Sequence, residues 1–302
     1  MPAEAIALMA AFAYASVSVS SRLGLRYSTP LTATCVAMGV RMTLLWCAVL
    51  ATGGVPAVAS LAVLIFVLLG IMQTGTSYLT FTGVARIGAS RSQPLRTTYP
   101  LWSAAWSVAL LGETLTSGLT SGTVLVVAGT VLISWSSHRS APRDRGDRSP
   151  DAGETASPHR WWYILFPLSA AFLAGIAFPV RRYALDISNE PLFFATVLAT
   201  VAAVSLAISL CAGGIRGHFV WNRRALWPFV VAGAFETVAS LFSLLAVSMG
   251  QVVAVAPLVA TSPLWTQVLA LLFLRGVERL NLRSVAGTVA VVAGTVTIIA
   301  AR

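Results

Sequence analysis

An ionisable side chain in the middle of an apolar run costs roughly 2.5 to 3.5 kcal/mol at mid-bilayer on insertion scales, so one that is present needs a partner or a water-filled space. Glu236, in VVAGAFETVASLF, is the only acid well inside a hydrophobic stretch. A carboxylate there can couple a proton or cation, grip a cationic solute, or neutralise a buried arginine. Arg41, in CVAMGVRMTLLWC, is too far from either end of its run for easy snorkelling, and reads as a structural counter-charge or a solute contact. Arg96 follows Arg86 and Arg91 into another apolar run, as a solute contact or at that run's interfacial end.

Uncharged residues add to this set. Pro94, Pro100, Pro257 and Pro263 fall inside two apolar runs, where each withholds an amide from the carbonyl one turn earlier. A freed carbonyl is tolerated in a membrane only where it lines a cavity, so Pro100 and Pro263 mark helix breaks beside a central site, or simple kinks. Trp102 and Trp265 follow those two prolines by two residues. Their rings suit an aromatic or cationic solute, and equally suit packing against lipid or a neighbouring helix.

The elements that must position these residues follow from composition. Apolar residues make up 57% of the 302, only 10% are charged, and mean hydropathy is +0.82. At about 20 residues per crossing, the length fits roughly ten membrane helices. Apolar runs place them near 4–21, 30–51, 59–84, 92–111, 118–136, 162–180, 191–212, 225–247, 252–274 and 282–301. The start lacks a basic leader region, so the first run is expected to remain as a membrane helix. Residues 137–160, rich in Pro, Gly, Ser and charge, read as a polar linker between a first unit at 4–136 and a second at 161–302.

The net charge of +10 would suggest nucleic acid for a soluble chain, but here the arginines sit singly or in pairs beside apolar runs. No nucleic-acid partner, cofactor, metal centre or catalytic residue is expected. Cys35, Cys47 and Cys211 read as small buried packing residues, and the three histidines lie in polar loops. Trp135, Trp161, Trp162, Trp221 and Trp227 flank polar loops as interfacial belt residues.

The two units are related. GTVLVVAGTV at 122–131 matches GTVAVVAGTV at 287–296 in nine of ten positions, an offset of 165, and Pro100-Leu101-Trp102 matches Pro263-Leu264-Trp265 at an offset of 163. The same offset of 163 puts Gly70 on Gly233 and Gln73 on Glu236. Five crossings per unit is an odd number, so the second copy enters the bilayer inverted, and two such halves can rock about a central site. The repeated Gly122, Gly129, Gly287 and Gly294 give helices five and ten small-residue faces, expected to buttress each half or to form a dimer contact. Glu113 and Glu278 are expected to cap the helices that follow them.

On these residues (proline-bearing fourth and ninth helices, the turn Gly112-Glu113-Thr114-Leu115 with its degenerate copy Val277-Glu278-Arg279-Leu280, and glycine-rich helices carrying AGTV) the chain resembles the EamA family of the drug/metabolite transporter superfamily. The resemblance covers nearly the whole chain. It implies an all-α, ten-helix membrane protein of the kind that exports or carries metabolites, amino acids and drugs; with the inverted repeat, the leading expectation is a secondary transporter exporting a small metabolite, amino acid or drug-like solute by proton exchange. The family often has an arginine near the place of Arg41, which implies a shared structural role as much as a solute contact. Its partners would be the solute, the lipid bilayer and coupling protons, with the chain a monomer or homodimer in a bacterial inner membrane. A membrane sensor or scaffold and an intramembrane lipid-modifying enzyme are the alternatives. Arginines concentrate in the odd-numbered loops, which puts both termini outside the cytoplasm; the resemblance implies termini inside.

Overall fold

A computed structural model describes residues 2–87, 89–140, 160–212, 219–273 and 282–301, and among these every regular element is a helix. The first half holds α1 (Ala3–Leu25), α2 (Pro30–Ala51), α3 (Ser60–Ile87), α4 (Ala89–Arg96), α5 (Tyr99–Leu111) and α6 (Ser117–Ser140). The second holds α7 (Leu165–Ile187), α8 (Pro191–Cys211), α9 (Arg223–Met249), α10 (Val252–Val259), α11 (Ser262–Phe273) and α12 (Leu282–Ala300). Nine described segments are long and apolar enough to cross a membrane. The tenth crossing is the pair α4 and α5, each too short alone at 8 and 13 residues. Helix α6 runs to Ser140, four residues into the segment read as linker; of the rest, 141–159 lie outside the described residues and Arg160 opens a 3-10 turn, Arg160–Ile164.

Local signals set many of the ends. Thr29 caps α2 by accepting from the Thr32 amide at 3.4 Å, with Pro30 next in the first helical position. Asn222 caps α9 through the Arg224 amide at 2.9 Å. Gly112 ends α5 in the left-handed region at φ 65°, where its lack of a Cβ removes the steric cost. The outer faces are apolar: Leu61, Leu64, Leu68 and Ile71 expose one stripe of α3, as lipid contact requires. Cys47 and Cys211 are also exposed, so they face outward instead of packing inside as expected, while Cys35 is half-buried.

The halves interlock instead of packing side by side. Helix α1 packs on α9, α10 and α11 of the second half, and α7 packs on α3, α4 and α5 of the first. Matched glycines allow close approach at the next layer: a Cβ on Gly70 would meet Val201 of α8 at 2.7 Å, and one on Gly233 would meet the Ala37 carbonyl of α2 at 2.8 Å. Helices α6 and α12 run antiparallel with their glycine faces together. A Cβ on Gly129 would lie 2.6 Å from the Gly287 carbonyl, and one on Gly294 would lie 2.7 Å from the Gly122 carbonyl. Those faces therefore join the two halves of one chain, which takes them out of contention as a dimer contact. Gly129→Ala is expected to lower the melting temperature of the detergent-purified protein by an overpacking cost of about 1–3 kcal/mol. Gly75→Ala, where nothing lies within 4 Å, leaves it unchanged or slightly raised.

Candidate functional site

The breaks in the fourth and ninth crossings superimpose residue for residue in sequence. Helices α4 and α10 cover 89–96 and 252–259, both related by 163, and α5 and α11 begin at Tyr99 and Ser262, again 163 apart. Pro100 and Pro263 each occupy the second position of the new helix and withhold the amides that would otherwise meet the carbonyls of Arg96 and Val259. Local bonds satisfy the rest of the turn. The Leu95 carbonyl accepts from the Thr98 hydroxyl at 2.7 Å and amide at 3.3 Å, and the Leu258 carbonyl accepts from the Thr261 hydroxyl at 2.7 Å and amide at 3.2 Å.

Arg96 is thereby placed at the inner end of α4, midway along its crossing, and not at an interfacial helix end. It is exposed at the helix break, with the Tyr14 and Tyr99 hydroxyls in electrostatic reach, so its guanidinium borders an opening beside α4. Tyr14 of α1, Tyr99 of α5 and Arg181 of α7 are half-buried. The equivalent of Arg96 in the second half is Val259, and α10 is buried along its whole length, so the opening lies on the α4 side.

Tyr14 sits at the centre of the charged groups. It lies in electrostatic reach of Arg41, Arg96, Arg181 and Glu236, and its hydroxyl engages Ser243 of α9. Arg41 donates from Nη1 to Glu236 Oε1 at 3.2 Å, joining α2 to α9, with Arg41 3% exposed and Glu236 23%. Each is thus the other's counter-charge. Gln73 on α3, the counterpart of Glu236, accepts instead from Arg181 Nη2 at 3.5 Å. The Arg181 guanidinium also lies over the Phe178 ring at 5.6 Å, and Phe178 stacks on Tyr99 at 5.6 Å.

Trp102 and Trp265 pack edge-on against aromatic residues of the other half's first helix. Trp102 meets Phe172 at 5.3 Å and Trp265 meets Phe12 at 5.6 Å. Trp265 Nε1 is buried with no hydrogen-bond partner among the described residues. Sequence reasoning missed Tyr14, Tyr99 and Arg181. Arg181 escaped because the sixth crossing was ended at 180, whereas α7 continues to Ile187; the apolar residues Tyr183, Ala184 and Leu185 beyond the Arg181-Arg182 pair were the available signal.

At the membrane face bearing both termini, the junction of α9 and α10 is held from two sides. Arg182 Nη1 donates to the carbonyls of Val247 and Ser248, both at 2.9 Å, at the carboxyl end of α9. Glu113 accepts from the amides of Val252 and Val253, both at 2.8 Å, at the amino end of α10. The capping expected of Glu113 thus falls on a helix of the opposite half and not on α6, because the inverted repeat brings that helix end to it. Glu278 lies outside the described residues.

Comparison with known proteins agrees with this architecture. The EamA-like transporter family matches residues 1–135 and 160–300. No curated protein matches. Among 29 matching solved chains, one crystal structure aligns with a TM-score of 0.77 over 99% of this chain and 97% of its own, at 17% identity, a likeness of fold alone.

The buried pair makes a measurable claim. Glu236→Gln leaves Arg41 buried without its counter-charge, and is expected to destabilise the purified protein by about 3–5 kcal/mol. Replacing both partners, Arg41→Met with Glu236→Leu, is expected to recover most of that loss in a thermal-denaturation series.

Proposed function

The chain belongs to the EamA-like transporter family, and on that premise we propose that it is a secondary transporter exporting a small metabolite, amino acid or drug-like solute by alternating access. One observation carries the reading. Two helix breaks related by the inverted repeat meet the first helix of the opposite half, and a charged, partly open cluster lies beside one of them. Broken helices at corresponding places in two inverted halves are how such proteins build a site at the midplane. The bonds from Glu113 to α10 cross between halves, so they would have to open when the halves rock. In this reading the protein holds its termini-side face closed and presents Arg96 to the opposite face.

Glu236 is the group through which a proton gradient is coupled. It is 23% exposed and tied to Arg41, so a proton arriving on its carboxylate releases Arg41 and changes the charge beside the opening. One chain supplies both halves of the site, so a monomer suffices, working in the inner membrane of a bacterium as a transporter and not as an enzyme.

A strain overexpressing the chain, grown across a panel of toxic amino acids, analogues and drugs, is expected to gain resistance to one compound class. Unchanged resistance and unchanged accumulation across every class would count against export. Coupling has its own test in proteoliposomes. The Arg41→Met, Glu236→Leu chain keeps its fold but is expected to lose acceleration by a pH gradient, and an unaltered response rejects Glu236 as the coupling group.

A further inference from the structure

The charges in reach of Tyr14 do not balance: they are three guanidinium groups and one carboxylate. Glu236 is already committed to Arg41 at 3.2 Å. Arg181 has a neutral amide oxygen at 3.5 Å and an aromatic face, and its Nε is buried without a partner among the described residues. Arg96 has no hydrogen bond or ion pair to its guanidinium among the described residues, only the Tyr99 and Tyr14 hydroxyls in electrostatic reach. Two cations, each in reach of both Tyr14 and Tyr99, are thus left without a counter-charge among the described residues, in a membrane interior where an unpaired charge is disfavoured unless something arrives to neutralise it.

We infer that this opening is an oxyanion site, and that the solute is an organic anion whose carboxylate or phosphate oxygens are held by Arg96 and Arg181. The inference rests on the transport reading and gives it a substrate class. A guanidinium presents its N–H groups as a planar fork that fits two oxygens of a carboxylate or phosphate at once, which a neutral or cationic solute cannot return. Tyr14 and Tyr99 add hydroxyl donors from two further helices. The half-buried ring of Tyr99, backed by the buried Phe178 ring on which it stacks, offers an apolar surface suited to a ring or chain attached to the anionic group. The asymmetry of the repeat is consistent with a single anion: Val259 stands in place of Arg96 in the second half, buried and uncharged.

Four probes sharing one ring separate the possibilities: benzoate, phenyl phosphate, benzamide and benzylammonium. Thermal denaturation of the full chain in detergent is expected to shift upward with benzoate and phenyl phosphate and not with the other two. Arg96→Gln and Arg181→Gln are expected to weaken the apparent affinity for the oxyanions at least tenfold. Without ligand these two variants are expected to melt no lower than the parent, since each removes an uncompensated cation, the opposite of Glu236→Gln. The inference is overturned if benzylammonium stabilises more than benzoate, if no oxyanion shifts the melting curve, if the shift survives both substitutions, or if both variants melt as low as Glu236→Gln. Transport is read separately in proteoliposomes. Carriage of a neutral or cationic solute without any oxyanion response defeats the anion assignment and leaves the transporter reading standing. An arginine-dependent oxyanion response with no solute carried supports the site and defeats the transporter reading.

Discussion

Hydrocarbon offers no hydrogen bonds, so every backbone amide and carbonyl inside the bilayer has to find its partner within the protein. That constraint is why unbroken helices are the rule here, and it makes the two exceptions informative. At 96–99 and 259–262 the helix stops and restarts, and at each stop a threonine hydroxyl and amide fold back onto a leucine carbonyl one turn earlier. The prolines that follow permit the restart because the first turn of a helix has no use for their missing amides. Such a device is stable only if other helices enclose it, and the crossed packing of α1 and α7 provides the enclosure.

Charge obeys the same logic with a larger penalty. Arg41 can be almost fully buried because Glu236 meets it across the α2 and α9 interface. Arg182, one residue beyond Arg181, finds backbone carbonyls at a helix end and Asp186 at 3.0 Å. Arg96, exposed, and Arg181, half-buried against Gln73 and the Phe178 ring, differ from these two in meeting only neutral groups among the described residues. The difference among four arginines in one small region lies in what each of them meets, not in residue type.

The inverted repeat is obeyed closely by the backbone and loosely by the side chains. The breaks, the paired glycines and the exchange of first helices all follow the pseudo-symmetry, because close helix approach leaves no latitude at those positions. Gln73 against Glu236 and Arg96 against Val259 do not follow it. On the proposed transport reading, the symmetric scaffold serves the rocking of the two halves and the asymmetric lining serves recognition of the solute.

Much of this was legible in the order of residues alone. Ten crossings, their inversion, and the breaks at Pro100 and Pro263 follow from hydropathy, from an odd count per repeat and from the missing proline amide, all of which are local or additive along the chain. The glycine faces were legible as contact surfaces, but not which surface each would meet. Only the tertiary structure decided that Glu236 answers Arg41, that Glu113 caps a helix of the other half, that α6 and α12 close on each other, and that Tyr14 and Tyr99 come within reach of both Arg96 and Arg181. Those partnerships join residues as much as 195 positions apart, and an inverted repeat exchanges helices between halves, so the neighbours of a charged side chain are set by packing and not by its place in the sequence.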